Sequence, residues 1–384
     1  MLLNVTEGTL GVAVVGFGWM GRVHTQAYAR VPHHFADLPA LRLVAVADDV
    51  PGRAEAAATR YGFERATESW RELVDDPEVD AVSITAPNFL HREMGAAFAA
   101  AGKHIWIEKP VGLSAEDARA IVGEVRVAVG FNYRNAPAVE RARELIADGV
   151  IGEVAHARFK FLSDYAAHPD GALSWRFERN RGGNGVLGDL GAHGVDLIRY
   201  LLGEIEALVA DTAIFIPERP RPAGATKGHE RGSGEPGPVE NEDYFASLLR
   251  MASGARVTLD CSRVAVGEQN SYGFEIHGSK GALFWDFRRM GELGVAAGDD
   301  YQDESVKVRF AQSGDGDFGA FQPGAGIPMG YDDLKVIEAA RFLRSIREGK
   351  PHGATLVDAI RSAEALDALE RSVATGAWVR LQNK

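Results

Sequence analysis

Asp189 and His193 stand four residues apart in a stretch, Gly188 to Leu202, whose apolar spacing predicts a helix. At that spacing two side chains share one helix face. An imidazole titrates close to neutrality, so His193 has the pKa of a proton acceptor. Gly185, Gly188, Gly191 and Gly194 surround the pair. Glycine is a poor helix former, so its frequency here predicts a close backbone approach and favours a functional helix over a plain surface one. A second candidate is Lys109, which follows the apolar run Lys103 to Glu108 and precedes Pro110. On its own a Lys-Pro pair reads as an exposed lysine at a strand end.

A third feature concerns phosphate. Gly16-Phe17-Gly18-Trp19-Met20-Gly21 follows an apolar run, Leu10 to Val15, and leads into a predicted helix over Arg22 to Arg30. Strand, glycine turn and helix in that order suit a pyrophosphate. Gly16 permits the tight turn, Gly18 lets backbone approach the ligand, and Gly21 lets helix and strand pack closely. The helix start offers free N–H groups and a positive dipole end. Asp48 ends the next apolar run, Leu41 to Ala47, where a carboxylate can bond a ribose 2′-hydroxyl and repel a 2′-phosphate. It lies 27 residues after Gly21, beyond the usual ~20, and a loop over Pro32 to Pro39 accounts for the extra length. NAD is therefore expected as cofactor, with NADP less favoured; Arg53 is the one residue nearby that argues for NADP.

The elements that must position these groups are visible as periodicity. Strands are predicted at Leu10–Val15, Leu41–Ala47, Ala81–Thr85, Lys103–Glu108 and Arg126–Asn132, with helices at Arg53–Tyr61, Trp70–Val74, Leu90–Ala101 and from Ser114. That alternation predicts a parallel sheet with helices on both faces. After Tyr133 the pattern changes. Val154 to Tyr165 and Ile205 to Ile216 alternate as strands, and hairpins are expected over Tyr244–Val266 and Tyr272–Phe287. Two helical patterns, Asp332–Arg347 and Val357–Thr375, close the chain. Pro217 to Glu240 and Asp299 to Gly330 read as long loops, either surface insertions or a lid or subunit arm. The fold class expected is α/β, with a dinucleotide-binding Rossmann domain over 1–131 and an α+β domain with a large, mainly antiparallel open sheet over 132–384.

Composition narrows the function classes. The chain has 384 residues, 46% hydrophobic and 25% charged, with a net charge of −12. The length suits two domains. No basic run is present, so a nucleic-acid partner is not expected. Cys261 is the only cysteine, which excludes an intrachain disulfide, and its apolar-alternating surroundings predict a buried, inert thiol. Met1 to Leu10 lacks a secretory pattern, and no apolar stretch reaches the ~18 residues of a membrane helix, so a cytoplasmic location is expected. No metal-ligand spacing is apparent.

Four motifs together resemble one family. Thr85-Ala86-Pro87-Asn88 with His91, Glu108-Lys109-Pro110, Gly130-Phe131-Asn132-Tyr133-Arg134, and the run GVLGDLGAHGVD from Gly185 to Asp196 occur in this order. They resemble the glucose–fructose oxidoreductase / inositol dehydrogenase / rhizopine catabolism (Gfo/Idh/MocA) family, over nearly the whole chain. Two departures are visible: the segment Pro110 to Gly130 is short, and Pro217 to Glu240 looks inserted.

The resemblance implies an NAD-dependent dehydrogenase or reductase acting on a secondary alcohol or ketone of a sugar, cyclitol or sugar-derived ring. Such chemistry needs a hydride acceptor, a base for the hydroxyl proton and a donor for the developing oxyanion. The family implies His193 as base, Asp189 holding it or a neighbouring hydroxyl, and Lys109 bonding the reacting oxygen and the nicotinamide ribose. Cofactor contacts are expected from Gly16, Phe17, Gly18, Met20, Gly21, Asp48, Thr85, Pro87, Asn88, His91, Glu108, Lys109, Arg134 and Trp175. Substrate contacts are expected from Lys109, Asn132, Arg176, Asp189, His193 and Tyr272. Arg134 reads equally as a structural ion pair, and Trp175 equally as packing. Relatives assemble as dimers or tetramers through the C-terminal sheet, so a homodimer or homotetramer is implied. Two other activities stay open on the same scaffold: glycosidic cleavage through transient oxidation, and non-catalytic dinucleotide sensing.

Overall fold

A computed structural model describes residues 9–224 and 230–381. Most of the Met1 to Leu10 segment and the centre of the Pro217 to Glu240 loop lie outside the described residues. The chain divides into two compact units: Met1–Asn132 with Tyr331–Arg361, and Tyr133–Gly330 with Ser362–Lys384. The segment 331–361, grouped by sequence with the second domain, thus belongs to the first unit.

In the first unit β1 (Leu10–Val15), β2 (Leu41–Ala47), β3 (Arg65–Thr67), β4 (Ala81–Ile84), β5 (His104–Ile107) and β6 (Val127–Val129) form a parallel sheet in the order β3-β2-β1-β4-β5-β6. β1 is buried along its whole length, as an all-apolar strand in a parallel sheet must be. The helices are α1 (Trp19–His34), α2 (Arg53–Tyr61), α3 (His91–Ala100) and the short α4 (Ala115–Arg119), capped by the Ser114 hydroxyl. α1 runs on past its expected end at Arg30 and through Pro32: the Phe35 N–H still closes on the Val31 carbonyl at 2.9 Å, and both side chains are buried. The expected Pro32 to Pro39 loop is correspondingly shorter. β6 is shorter than predicted, because Asn132–Asn135 turns into a 3₁₀ segment; the Val129 N–H pairs with the Ala354 carbonyl.

The second unit is built on nine strands: β7 (Val154–Leu162), β8 (Ile205–Ala213), β11 (Tyr244–Met251), β12 (Arg256–Ser262), β13 (Ser271–Gly278), β14 (Gly281–Asp286), β15 (Glu292–Ala297), β16 (Lys307–Phe310) and β17 (Val379–Arg380). Between β8 and β11 the loop carries its own two-stranded ladder, β9 (Glu218–Pro220) with β10 (Pro236–Pro238), so part of the expected irregular insertion is ordered. The nine-stranded sheet runs β16-β15-β14-β13-β7-β12-β11-β8-β17 and is antiparallel except where β7 meets β12. Ala157, Phe159 and Phe161 of β7 alternate inward with Val257, Leu259 and Cys261 of β12. Cys261 is buried, and burial pushes its thiol well above the usual range.

Helices α5 (Pro137–Ala147), α6 (Arg179–Gly182) and α7 (Ala192–Leu202) accompany this sheet. Two long helices follow, α8 (Tyr331–Glu348) in the first unit and α9 (Leu356–Thr375), inside which the division falls. The helix expected from Gly188 is not uniform: Leu187–Gly191 forms one wide π turn before α7 begins.

Candidate active site

The glycine turn of the first unit is built as the spacing predicts. Gly16 has φ +86°, and a Cβ on it would meet the Ala86 nitrogen at 2.6 Å. A Cβ on Gly21 would strike the Gly16 carbonyl, whereas one on Gly18 would meet nothing within 4 Å. Gly18 precedes α1 without any side-chain cap, so the first-turn N–H groups are left for a ligand. The Thr85 hydroxyl donates to the Gly16 carbonyl at 2.5 Å and holds the turn closed. Met20 accepts a bond at sulfur from the Tyr331 hydroxyl, 3.8 Å away.

Asp48 is buried beside this turn. Its Oδ2 accepts from the Phe17 N–H at 2.6 Å, its Oδ1 accepts from the Val50 N–H at 3.0 Å, and Arg53 pairs with it at 3.2 Å. The acid expected to meet the ribose therefore also fixes the glycine turn, and Arg53 is drawn to that acid. Pro87 and Asn88 are half-buried on the turn after β4.

Two residues expected at the cofactor are committed elsewhere. His91 is buried, with Nδ1 2.8 Å from the Pro110 carbonyl and Nε2 2.8 Å from the Ala86 carbonyl. Burial, the largest influence, lowers its pKa. Glu108 is buried in contact with His24 and Lys335. Lys109 follows Glu108, just past β5, and is half-buried. Asn132 is 1% exposed, and neither its Oδ1 nor its Nδ2 has a hydrogen-bond partner among the described residues. A buried, unsatisfied amide is costly and fits a residue that awaits a ligand.

In the second unit Asp189 lies in the π turn and His193 in the first turn of α7. The Tyr165 hydroxyl donates to Asp189 Oδ2 at 2.7 Å. Burial, followed by the charge of Asp189, raises the Tyr165 pKa well above the usual phenol value, so the tyrosine stays a donor. The buried His193 ring meets the Tyr133 ring edge-on at 4.7 Å. Tyr272, expected to touch substrate, is fully buried and donates to the His193 carbonyl at 2.9 Å. It supports the helix that carries the histidine. Arg134 is buried against Asp196, with Nε donating to Oδ2 at 3.0 Å, and it lies over the Tyr200 ring. Of its two readings, the ion pair is the one formed. Arg176 is exposed and lies over the half-buried Trp175 ring at 4.5 Å.

The close backbone approach expected of the glycines around Asp189 is present at three of them. A Cβ on Gly191 would reach the Phe245 ring at 2.7 Å, and one on Gly194 would reach Leu259 Cδ1 at 2.6 Å. One on Gly185 would collide with the Glu242 carbonyl. Gly191 and Gly194 thus lie against β11 and β12, and Gly185 against the chain just before β11.

Comparison with known proteins adds to this geometry. Residues 10–128 match the model of the oxidoreductase family with an NAD-binding Rossmann fold, and residues 139–284 match the GFO/IDH/MocA C-terminal domain. The chain belongs to this family. It is 38% identical to levoglucosan dehydrogenase of Pseudarthrobacter phenanthrenivorans over 96% of this chain and 97% of that one. It is 32% identical to inositol 2-dehydrogenase of Rhizobium meliloti over 95% and 97%. A solved structure of levoglucosan dehydrogenase in complex with NADH superposes with a TM-score of 0.92 at 35% identity, covering 98% of this chain and 100% of that one.

As a member of this Gfo/Idh/MocA family the chain is an NAD-dependent oxidoreductase, and its own residues fit that cofactor. The turn Gly16–Gly21 leaves open space at Gly18, the α1 start lacks a cap, and Asp48 stands beside both. No helix among the described residues is long and apolar enough to cross a membrane. Sequence reasoning missed Tyr165, which stands just beyond the strand it was assigned to, and His24, Lys335 and Glu338. Lys335 and Glu338 did leave a signal: both are charged and flanked by the apolar Leu334, Val336, Ile337 and Ala339.

Proposed function

We propose that the protein interconverts a secondary alcohol and a ketone on a sugar, cyclitol or sugar-derived ring. NAD supplies the hydride acceptor when bound. His193 takes the hydroxyl proton in oxidation and returns it in reduction. Asp189, kept in place by Tyr165, orients His193 or a neighbouring ring hydroxyl. Lys109 donates to the reacting oxygen and stabilises the charge that develops there. Asn132 and Arg176 are further candidates for ring hydroxyls.

The observation that carries this reading is the tyrosine-held carboxylate four residues before a buried imidazole. Names of relatives support the ring class: one is levoglucosan dehydrogenase, solved with NADH and levoglucosan and with NADH and L-sorbose, and another is inositol 2-dehydrogenase.

NADH formation across levoglucosan, inositols, aldoses and aminocyclitols, run with NAD and NADP in parallel, tests the proposal. At least one ring is expected to give NADH. Lys109→Ala and His193→Ala should each lose about 100-fold or more in kcat. Full activity in either variant, or release of free sugar without NADH, would reject the assignment.

A further inference from the structure

A buried charged cluster in the first unit grips the residue before Lys109. Lys335, on α8, is 0% exposed. Its ammonium donates to Glu108 Oε1 at 2.5 Å and to Glu338 Oε1 at 2.9 Å. His24 Nε2 lies 2.9 Å from the same Glu108 oxygen, and the His24 ring stacks on Trp106 at 3.5 Å between centroids. The Trp106 indole donates to Glu338 Oε1 at 2.8 Å. His24 Nδ1 faces the Ser83 hydroxyl, which also meets the Tyr28 hydroxyl at 3.0 Å. Gly130 makes the room: a Cβ there would sit 2.6 Å from the Glu108 carboxylate.

His24, Glu108 and Glu338 bring potential metal-ligand atoms within 4.8 Å of one another. The ammonium of Lys335 already supplies the cation those groups would attract. On the far side of Lys109, His91 brackets the Pro110 and Ala86 carbonyls. The backbone of Lys109 is thus held through the side chain before it and the carbonyl after it.

We propose that Lys335, acting through Glu108, is a positioning residue that fixes the backbone carrying Lys109. The inference rests on the role proposed above for Lys109. A carboxylate buried this deeply keeps its charge only if paired. Burial by itself would raise the Glu108 carboxyl; Lys335 and then His24 hold it well below the usual carboxylate range. Burial also lowers the His24 pKa, to about 4, so at neutral pH the imidazole carries no charge and Lys335 is the cation that Glu108 depends on.

The test compares Lys335→Met and the double variant Glu108→Gln/Lys335→Met with Lys109→Ala, all in the full chain. Hydrogen exchange read by mass spectrometry over residues 104–113 reports the backbone. Turnover is measured on the ring that reacts fastest in the screen above, and NADH binding by fluorescence. In both Lys335 variants, exchange at residues 108–112 should be about tenfold faster. Their kcat should fall about tenfold while NADH affinity stays within about twofold. The double variant removes the Glu108 charge together with its partner, and burial already pushes Glu338 toward its neutral form, so the variant reports even if Lys335→Met does not fold. Unchanged exchange and unchanged kcat in the folded double variant overturn the proposal. Faster exchange with unchanged kcat, beside an inactive Lys109→Ala, overturns it too. A fully active Lys109→Ala instead defeats the role given to Lys109, and exchange alone then decides whether Lys335 holds this turn.

Discussion

The bond from Tyr165 to Asp189 sets what that carboxylate can do. A phenol that donates to a carboxylate favours the charged form and fixes one of its two oxygens. The other oxygen is then aimed by the same bond. Tyr165→Phe removes the donor with almost no change in shape. A hydrogen bond to a charged group contributes about 1.5–3 kcal/mol. If that bond is used in the reacting complex, kcat/KM should fall roughly tenfold or more, with NADH binding unaltered. Steady-state kinetics beside a fluorescence titration checks this, and equal kcat/KM would show that Asp189 needs no such support. Asp189 and His193 were legible as a pair because their spacing is local. Tyr165 was not, since nothing in a linear sequence says which hydroxyl will cross 24 residues to reach a carboxylate.

At the scale of the element, α7 has to lie against the sheet closely enough to place His193 on Tyr133 and Phe161. Gly191 and Gly194 allow it. Gly194→Ala would push a methyl into Leu259, and Gly191→Ala would push one into the Phe245 ring. Overpacking of this kind costs roughly 1–3 kcal/mol. Gain in helix propensity returns at most about 1 kcal/mol. Both variants should therefore unfold at lower urea concentration, and both should lose activity beyond the loss in stability, because the displaced helix carries the imidazole. A urea midpoint equal to wild type would mean the helix yields without strain. Periodicity showed most strands of both sheets and the long helices. It did not show the π turn at Leu187–Gly191, since a widened turn keeps nearly the same apolar spacing as an ordinary one. The glycines there were visible as unusual, but whether a sheet or a ligand approaches them is a tertiary fact.

For the molecule as a whole, the cluster around Lys335 links pH to folding. Lys335 lies 227 residues from Glu108 in sequence, which is why the linear pattern set α8 apart from the sheet it belongs with. Glu338 is the cluster's weakest member. Burial raises its pKa to about 7 against the attraction of Lys335, and its Oε2 has no hydrogen-bond partner among the described residues. Between about 4.5 and 7 the folded protein keeps a proton on Glu338 that the unfolded chain has already released. Stability therefore falls as pH rises through that window, by about 1.4 kcal/mol per unit. His24 works in the opposite direction. Its pKa is lowered from 6.5 to about 4, so between those values the unfolded chain holds the extra proton and stability rises with pH. The two slopes nearly cancel in the native protein and hide each other. Glu338→Gln separates them, since the amide cannot titrate and keeps an acceptor for Lys335 and Trp106. The stability difference between variant and wild type should grow in favour of the variant from pH 4.5 to 7, by up to about 3 kcal/mol, and level off above. Urea unfolding at half-unit steps of pH measures it. A difference that stays constant across the range would mean Glu338 is ionised in the folded protein throughout, and that Lys335 balances two carboxylates rather than one.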